Sequence, residues 1–153
     1  MNYWLLKTEA NCYSIDDLAR DKKCEWTGIR NYQARNFLRD TVKVGDLCLI
    51  YHSSSEPTGV SGIAEVVGAP HADATAFDKK DEHYDPKSTK ENPIWFSVPV
   101  AFSEKFKKIV TLHAIKFDPN LAGIAVAQRG SRLSVLPVSK KHFEYILKLG
   151  KKV

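Results

Sequence analysis

The shortness of its apolar runs constrains this chain most. The longest continuous run is Leu47-Cys48-Leu49-Ile50-Tyr51, which has the length of a strand and falls far below the roughly 20 residues of a membrane span. The rest of the chain keeps that scale. Residues 2–7 carry aromatic and aliphatic side chains suited to a first strand. Ser14-x-x-Asp17 is a capping-box pattern that opens a short helix anchored by Leu18. Ala34, Phe37 and Leu38, spaced i, i+3, i+4, predict a second helix over 31–40. Val44-Gly45-Asp46 is a turn into a strand over 47–52, and a polar loop then leads to a strand over 60–67. Gly62 within that strand marks a bulge or a close backbone approach. Residues 68–93 form a long polar excursion, read as a functional loop or a partly ordered flap. A strand follows over 94–102, with Pro99 placing it at a sheet edge or bulge. A basic stretch, a helical segment over 112–116 and a strand over 131–138 come next. Ser139 caps a final helix whose Phe143, Ile146 and Leu147 share one face. Five or six short strands interleaved with short helices, without βαβ periodicity, predict an α+β fold. The expected form is a small barrel rather than a doubly wound sheet.

Composition sets the remaining bounds. A chain of 153 residues with 43 % hydrophobic content fits one domain, 1–153, with a core large enough to need no staples. Cys12, Cys24 and Cys48 are odd in number and lack CxxC spacing, so they read as free thiols of a reducing compartment. The first residues lack the basic and small-residue features of a signal peptide, and a cytoplasmic location is expected. Net charge is +5, unevenly spread. From Lys105 onward eleven Lys/Arg face two acids, Asp118 and Glu144, whereas residues 71–93 hold four Lys and six acids. A basic third suits a polyanionic partner, and it equally suits a solvated lysine face.

Signatures of enzymes are missing. The chain has no GxxxxGK[ST], GxGxxG, GxSxG, HExxH or H-x-E…P-C-x-x-C pattern. His71-x-Asp73 and His83-x-Asp85 offer metal-ligand types, but such pairs are common in charged loops. His52 and Ser53, neighbours on a strand, point to opposite faces and make a poor base and nucleophile. No catalytic residue, metal or cofactor is expected.

Three clusters carry binding chemistry. In Trp26-Thr27-Gly28-Ile29-Arg30-Asn31-Tyr32-Gln33-Ala34-Arg35-Asn36 an aromatic and a Gly turn lead into a helix start. Free backbone N–H groups would lie there beside amide and guanidinium groups able to read a base edge. Trp26 would supply a stacking face. The plainer alternative makes Trp26 and Tyr32 core aromatics and Arg30 and Arg35 surface charges. Gln128-Arg129-Gly130-Ser131-Arg132-Leu133-Ser134 is a polar, basic turn suited to a phosphate or a base edge, or an ordinary hairpin turn. Tyr51-His52-Ser53, at a strand end, is a third candidate wall.

Several of these stretches resemble the EVE domain family. They are Tyr3-Trp4-Leu5-Leu6-Lys7-Thr8-Glu9, the Trp26 segment through Arg39, Gly62-Ile63-Ala64-Glu65-Val66-Val67, Tyr84-Asp85-Pro86-Lys87-Ser88 and Ser131-Arg132-Leu133-Ser134-Val135. The resemblance implies a PUA-like barrel, akin to ASCH and YTH domains. It also implies a non-catalytic module that binds nucleic acid, DNA or RNA, carrying a modified base such as a modified cytosine. Carried over by motif position, Trp26 is a cage wall, with Tyr51 or Trp95 as a second. Asn31, Arg30, Tyr32 and Arg35 line the helix start, and His52 and Ser53 contact the base edge. Ser131, Arg132, Leu133 and Ser134 close the pocket. The alternatives are a binder of a free nucleoside or similar metabolite, and a nucleic-acid-processing enzyme.

Overall fold

Both faces of the central strands are covered by helices, which is why those strands read as continuous apolar runs rather than as an alternation. The computed structural model describes residues 1–129 and 132–151. Its strands are β1 (Tyr3–Glu9), β2 (Lys23–Trp26), β3 (Leu47–Ser53), β4 (Gly59–Val66), β5 (His71–Ala72), β6 (Phe96–Thr111) and β7 (Val135–Val138). Its α-helices are α1 (Ile15–Asp21), α2 (Tyr32–Asp40), α3 (Leu112–Phe117) and α4 (Lys140–Lys151). Among the described residues the strands form one mixed sheet in the order β2-β6-β4-β3-β1-β7, with the two-residue β5 added to β6. β1 and β3 run parallel, and the other ladders are antiparallel.

The α+β, PUA-like class expected from the sequence holds, with one difference of form. β2 and β7 remain the two ends of the strand order, so the sheet is not closed into a barrel. β6 replaces closure with length. Its 16 residues pair with β2 at one end and with β4 along much of the rest, with register shifts between Val60 and Gly62 and between Ile63 and Ala64. The basic stretch after residue 102, expected as a connection, is therefore strand. Gly62 sits at this irregularity, where an added Cβ would run into the Glu104 carbonyl.

Trp4 and Leu6 of β1 pack with Ile15, Leu18, Ala34 and Leu38 of α1 and α2 on one face. Leu5 packs with Ile115 of α3 and Phe143 and Ile146 of α4 on the other. Local capping matches the sequence patterns. Ser14 and Asp17 exchange both capping-box hydrogen bonds, and the Ser139 hydroxyl accepts from the His142 N–H at 3.2 Å.

One buried carboxylate fixes the start of the sheet. Asp46, 2 % exposed, accepts from the Asn2 N–H at 3.0 Å, the Trp4 indole N–H at 2.9 Å and the Lys43 N–H at 2.9 Å. It ties the first strand to the turn that begins β3. Asp46→Ala leaves the buried Trp4 indole N–H without its acceptor and is expected to lower the unfolding free energy by about 1–3 kcal/mol. The check is urea denaturation, where the midpoint falls while the m-value stays constant.

Candidate nucleic-acid interface

Because β1 and β3 are parallel, their C-terminal ends lie together, with Lys7 beside Tyr51, Thr8 beside His52 and Glu9 beside Ser53. Two cavities open at this end and share Lys7. The first, about 500 Å³, lies between Lys7, Thr8 and Glu9 of β1, Trp26 at the end of β2 with Thr27 after it, and Glu82 and His83 of the excursion. The second, about 450 Å³, is lined by Lys7, Tyr51, Ser53, Lys116 and Arg129 among others. Either lies within the size range of small-molecule sites.

Trp26 is 7 % exposed and meets the Tyr13 ring edge-on, with centroids 6.3 Å apart. It thus serves the core and one cavity wall at once, joining the two readings the sequence left open. Tyr51 and Ser53 line the second cavity, with the Lys7 ammonium 5.8 Å from the Tyr51 ring centre. Burial pushes the Lys7 ammonium below its usual pKa and the Tyr51 phenol above its own.

His52 points the other way, as strand alternation requires. Its Nε2 accepts from the Ile15 N–H at 3.1 Å and lies 3.1 Å from the Ser61 hydroxyl. It lines a separate cleft of about 280 Å³ with Ser14, Asp16 and Lys105. Burial lowers its pKa and favours the neutral ring that this acceptor role needs.

Arg30, Tyr32, Arg35 and Trp95 come together, but as a clamp outside both cavities. Tyr32 stacks on Trp95 with ring centres 5.0 Å apart. The Arg35 guanidinium covers Tyr32 at 5.1 Å and the Arg30 guanidinium covers Trp95 at 5.4 Å. Arg35 donates to the Ile94 carbonyl at 2.9 Å, and the Trp95 indole donates to Asp85 at 2.7 Å. Asn31 is the cap of α2, its side-chain oxygen accepting from the Gln33 and Ala34 N–H groups at 2.9 and 3.0 Å. Of the last cluster, Ser131 lies outside the described residues. Arg132 is exposed, Leu133 packs against both core clusters, and the Ser134 carbonyl accepts from the Lys7 N–H at 2.9 Å. That bond sets Ser134 beside the shared lysine.

The excursion is ordered by Asp73. This fully buried side chain accepts from the Gly28 N–H at 2.9 Å, the Arg30 guanidinium at 2.9 Å, and the Thr75 N–H and hydroxyl at 2.9 and 2.6 Å. Arg30 also donates to the His83 carbonyl at 2.8 Å. Gly28 has φ +83°, and an added Cβ there would sit 2.8 Å from the His83 imidazole. Glycine thus permits both the turn and the close approach of His83, which brings the excursion over the Trp26 cavity. Sequence reasoning passed over Lys7, Thr8, Glu9, Glu82 and His83 as lining residues. For Lys7 a signal existed, since a charged residue continues an apolar strand where a further core position would fall.

The site geometry and fold define a small module with an aromatic-walled cavity at the end of a mixed sheet. The family model for the EVE domain matches residues 2–149, and the chain belongs to that family. Thymocyte nuclear protein 1 of Danio rerio is 38 % identical over 95 % of this chain and 71 % of its own length. The human protein is 34 % identical over 99 % of this chain and 75 % of its own length. A crystal structure of a Pseudomonas syringae protein superposes with TM-score 0.93 at 41 % identity, covering 97 % of this chain and 99 % of that one. Human THYN1 in complex with 5-methylcytosine-containing DNA superposes with TM-score 0.91 at 32 % identity, covering 100 % of this chain and 99 % of that one.

Asp73 also gives a pH-dependent term. Burial opposes its charge, but hydrogen bonds from Thr75, Gly28 and Arg30 outweigh that and hold its carboxyl below the usual range. Because the folded pKa is depressed, its stabilisation is complete above the unfolded value of about 3.9 and is lost as pH falls through the folded value. Asp73→Asn is expected to cost about 3 kcal/mol at neutral pH. In chemical denaturation across a pH series, the gap from wild type should narrow below about pH 4.

Proposed function

We propose that this chain is a non-catalytic reader of nucleic acid carrying a modified base, and that the base sits in the cavity walled by Trp26. The carrying observation is the superposition along the whole chain on human THYN1 in complex with 5-methylcytosine-containing DNA. The cavity supports the reading by its chemistry. Trp26 supplies the aromatic part of the wall, Glu9, Glu25 and Glu82 offer acceptors, and Lys7 and Thr27 offer donors. Taking a base from a duplex costs a few kcal/mol. Stacking on an aromatic returns roughly 1–3 kcal/mol of that, and phosphate contacts add more.

The cavity thiols favour binding over chemistry. Cys12 donates to the Glu9 carboxylate at 3.5 Å, a bond that pushes its pKa up. Burial does the same to Cys24. Both thiols stay protonated and are poor nucleophiles.

Oligonucleotides bearing one modified base, titrated by fluorescence anisotropy across a salt series, test the reading. Wild type should prefer a modified over an unmodified oligonucleotide, with affinity falling as salt rises. Trp26→Ala should lose about 1–3 kcal/mol, roughly 5- to 150-fold, together with the preference. Equal affinity of Trp26→Ala and wild type for the modified oligonucleotide overturns the assignment. Preference for a free nucleoside at salt-independent affinity points instead to a metabolite binder.

A further inference from the structure

The two cavities that share Lys7 differ in charge. The Trp26 cavity is lined by the carboxylates Glu9, Glu25 and Glu82. The second is lined by the cations Lys7, Lys116 and Arg129, with no acidic residue among its lining. Among the described residues none of these three cations has a carboxylate partner, in contrast to Lys105, paired with Asp16 at 2.8 Å, and Lys151, paired with Glu104 at 3.8 Å. Asp118, the acid nearest to Lys116 in sequence, is engaged by the Tyr145 hydroxyl at 2.6 Å and the Asn120 amide at 3.1 Å. Three cations from separate parts of the chain, β1, α3 and the segment before β7, therefore face one space without internal neutralisation. Lys7 is also partly desolvated, so an anion there gains more than it would beside a fully hydrated ammonium.

We propose that the second cavity is the seat of the phosphodiester group adjoining the read base, held by Lys7, Lys116 and Arg129. This rests on the base-reading assignment and adds its polarity: base at the carboxylate-bearing end, backbone at the cationic end, Lys7 between them. Stacking in the Trp26 cavity ignores the backbone, and cations in the second cavity ignore the base, so the two contributions separate experimentally.

Lys116 and Arg129 are exposed, and the double variant Lys116→Gln/Arg129→Gln keeps the core intact. The test compares wild type and this variant, by calorimetry, on a modified nucleoside, the corresponding dinucleotide and a modified single-stranded oligonucleotide at several salt concentrations. Wild type should bind the dinucleotide at least tenfold more tightly than the nucleoside, and the variant should lose that gain while binding the nucleoside unchanged. On the oligonucleotide the magnitude of the log K against log salt slope should drop by about 0.7, the value for one lost phosphate contact in a single strand, with the preference for the modification kept. Equal binding of nucleoside and dinucleotide by wild type, or an unchanged slope in the variant, overturns the phosphate seat and leaves base reading standing. Oligonucleotide binding that depends on Lys116 and Arg129 but ignores the modification sinks base reading and keeps the phosphate seat. Absence of any binding overturns both.

Discussion

The buried carboxylate of Asp73 holds the candidate interface together. A carboxylate removed from water is unfavourable unless its lone pairs are filled, and here the Gly28 N–H, the Arg30 guanidinium and both donors of Thr75 fill them. The donors come from two distant parts of the chain. Satisfying Asp73 therefore docks the excursion against the turn after β2, and with it places Glu82 and His83 at the Trp26 cavity. The same logic operates at Asp46, which fastens Trp4 and Asn2 to the turn before β3. Two buried carboxylates thus set the position of the excursion and the position of the first strand, each by accepting several donors at once.

This arrangement explains which parts of the molecule were legible in the sequence. Helix starts at Ser14 and Asn31 and the strands around Leu5 and Leu49 declare themselves through local rules of capping and apolar run length. Gly62 likewise announces a close approach that the Glu104 carbonyl supplies. β2 did not declare itself. Its four residues alternate exposed and shielded side chains, and only pairing with β6 makes them a strand. The far half of β6 is rich in lysine for the same reason: its outward positions are solvated, so composition there mimics a loop.

The candidate site was readable in part. Trp26 stands in a cavity wall, yet the arginines and aromatics that follow it, Arg30, Tyr32 and Arg35, join Trp95 in a stack that clasps the excursion. Sequence proximity placed them beside Trp26, while the helix turns Tyr32 and Arg35 toward residues roughly 60 positions further on, such as Ile94, whose carbonyl Arg35 holds. Lys7 was missed for the opposite reason. Its role depends on a parallel neighbour, β3, which sets it beside Tyr51, and no local pattern reports a parallel pairing.

How selective such a cavity can be follows from what lines it. A methyl group on a base adds only about 0.8 kcal/mol when buried, a few-fold in affinity, so apolar contact with Trp26 alone gives weak discrimination. A polar lining does more, because a hydrogen-bonding group left without its partner in a desolvated site is penalised by about 1–3 kcal/mol. The carboxylates of Glu9, Glu25 and Glu82 belong to exposed residues, so as acceptors they favour ligand edges that donate, while water screens the penalty on edges that merely accept. On the proposed base-reading assignment, neither a buried methyl group nor these solvated carboxylates gives strong discrimination alone, so selectivity would come from the two acting together.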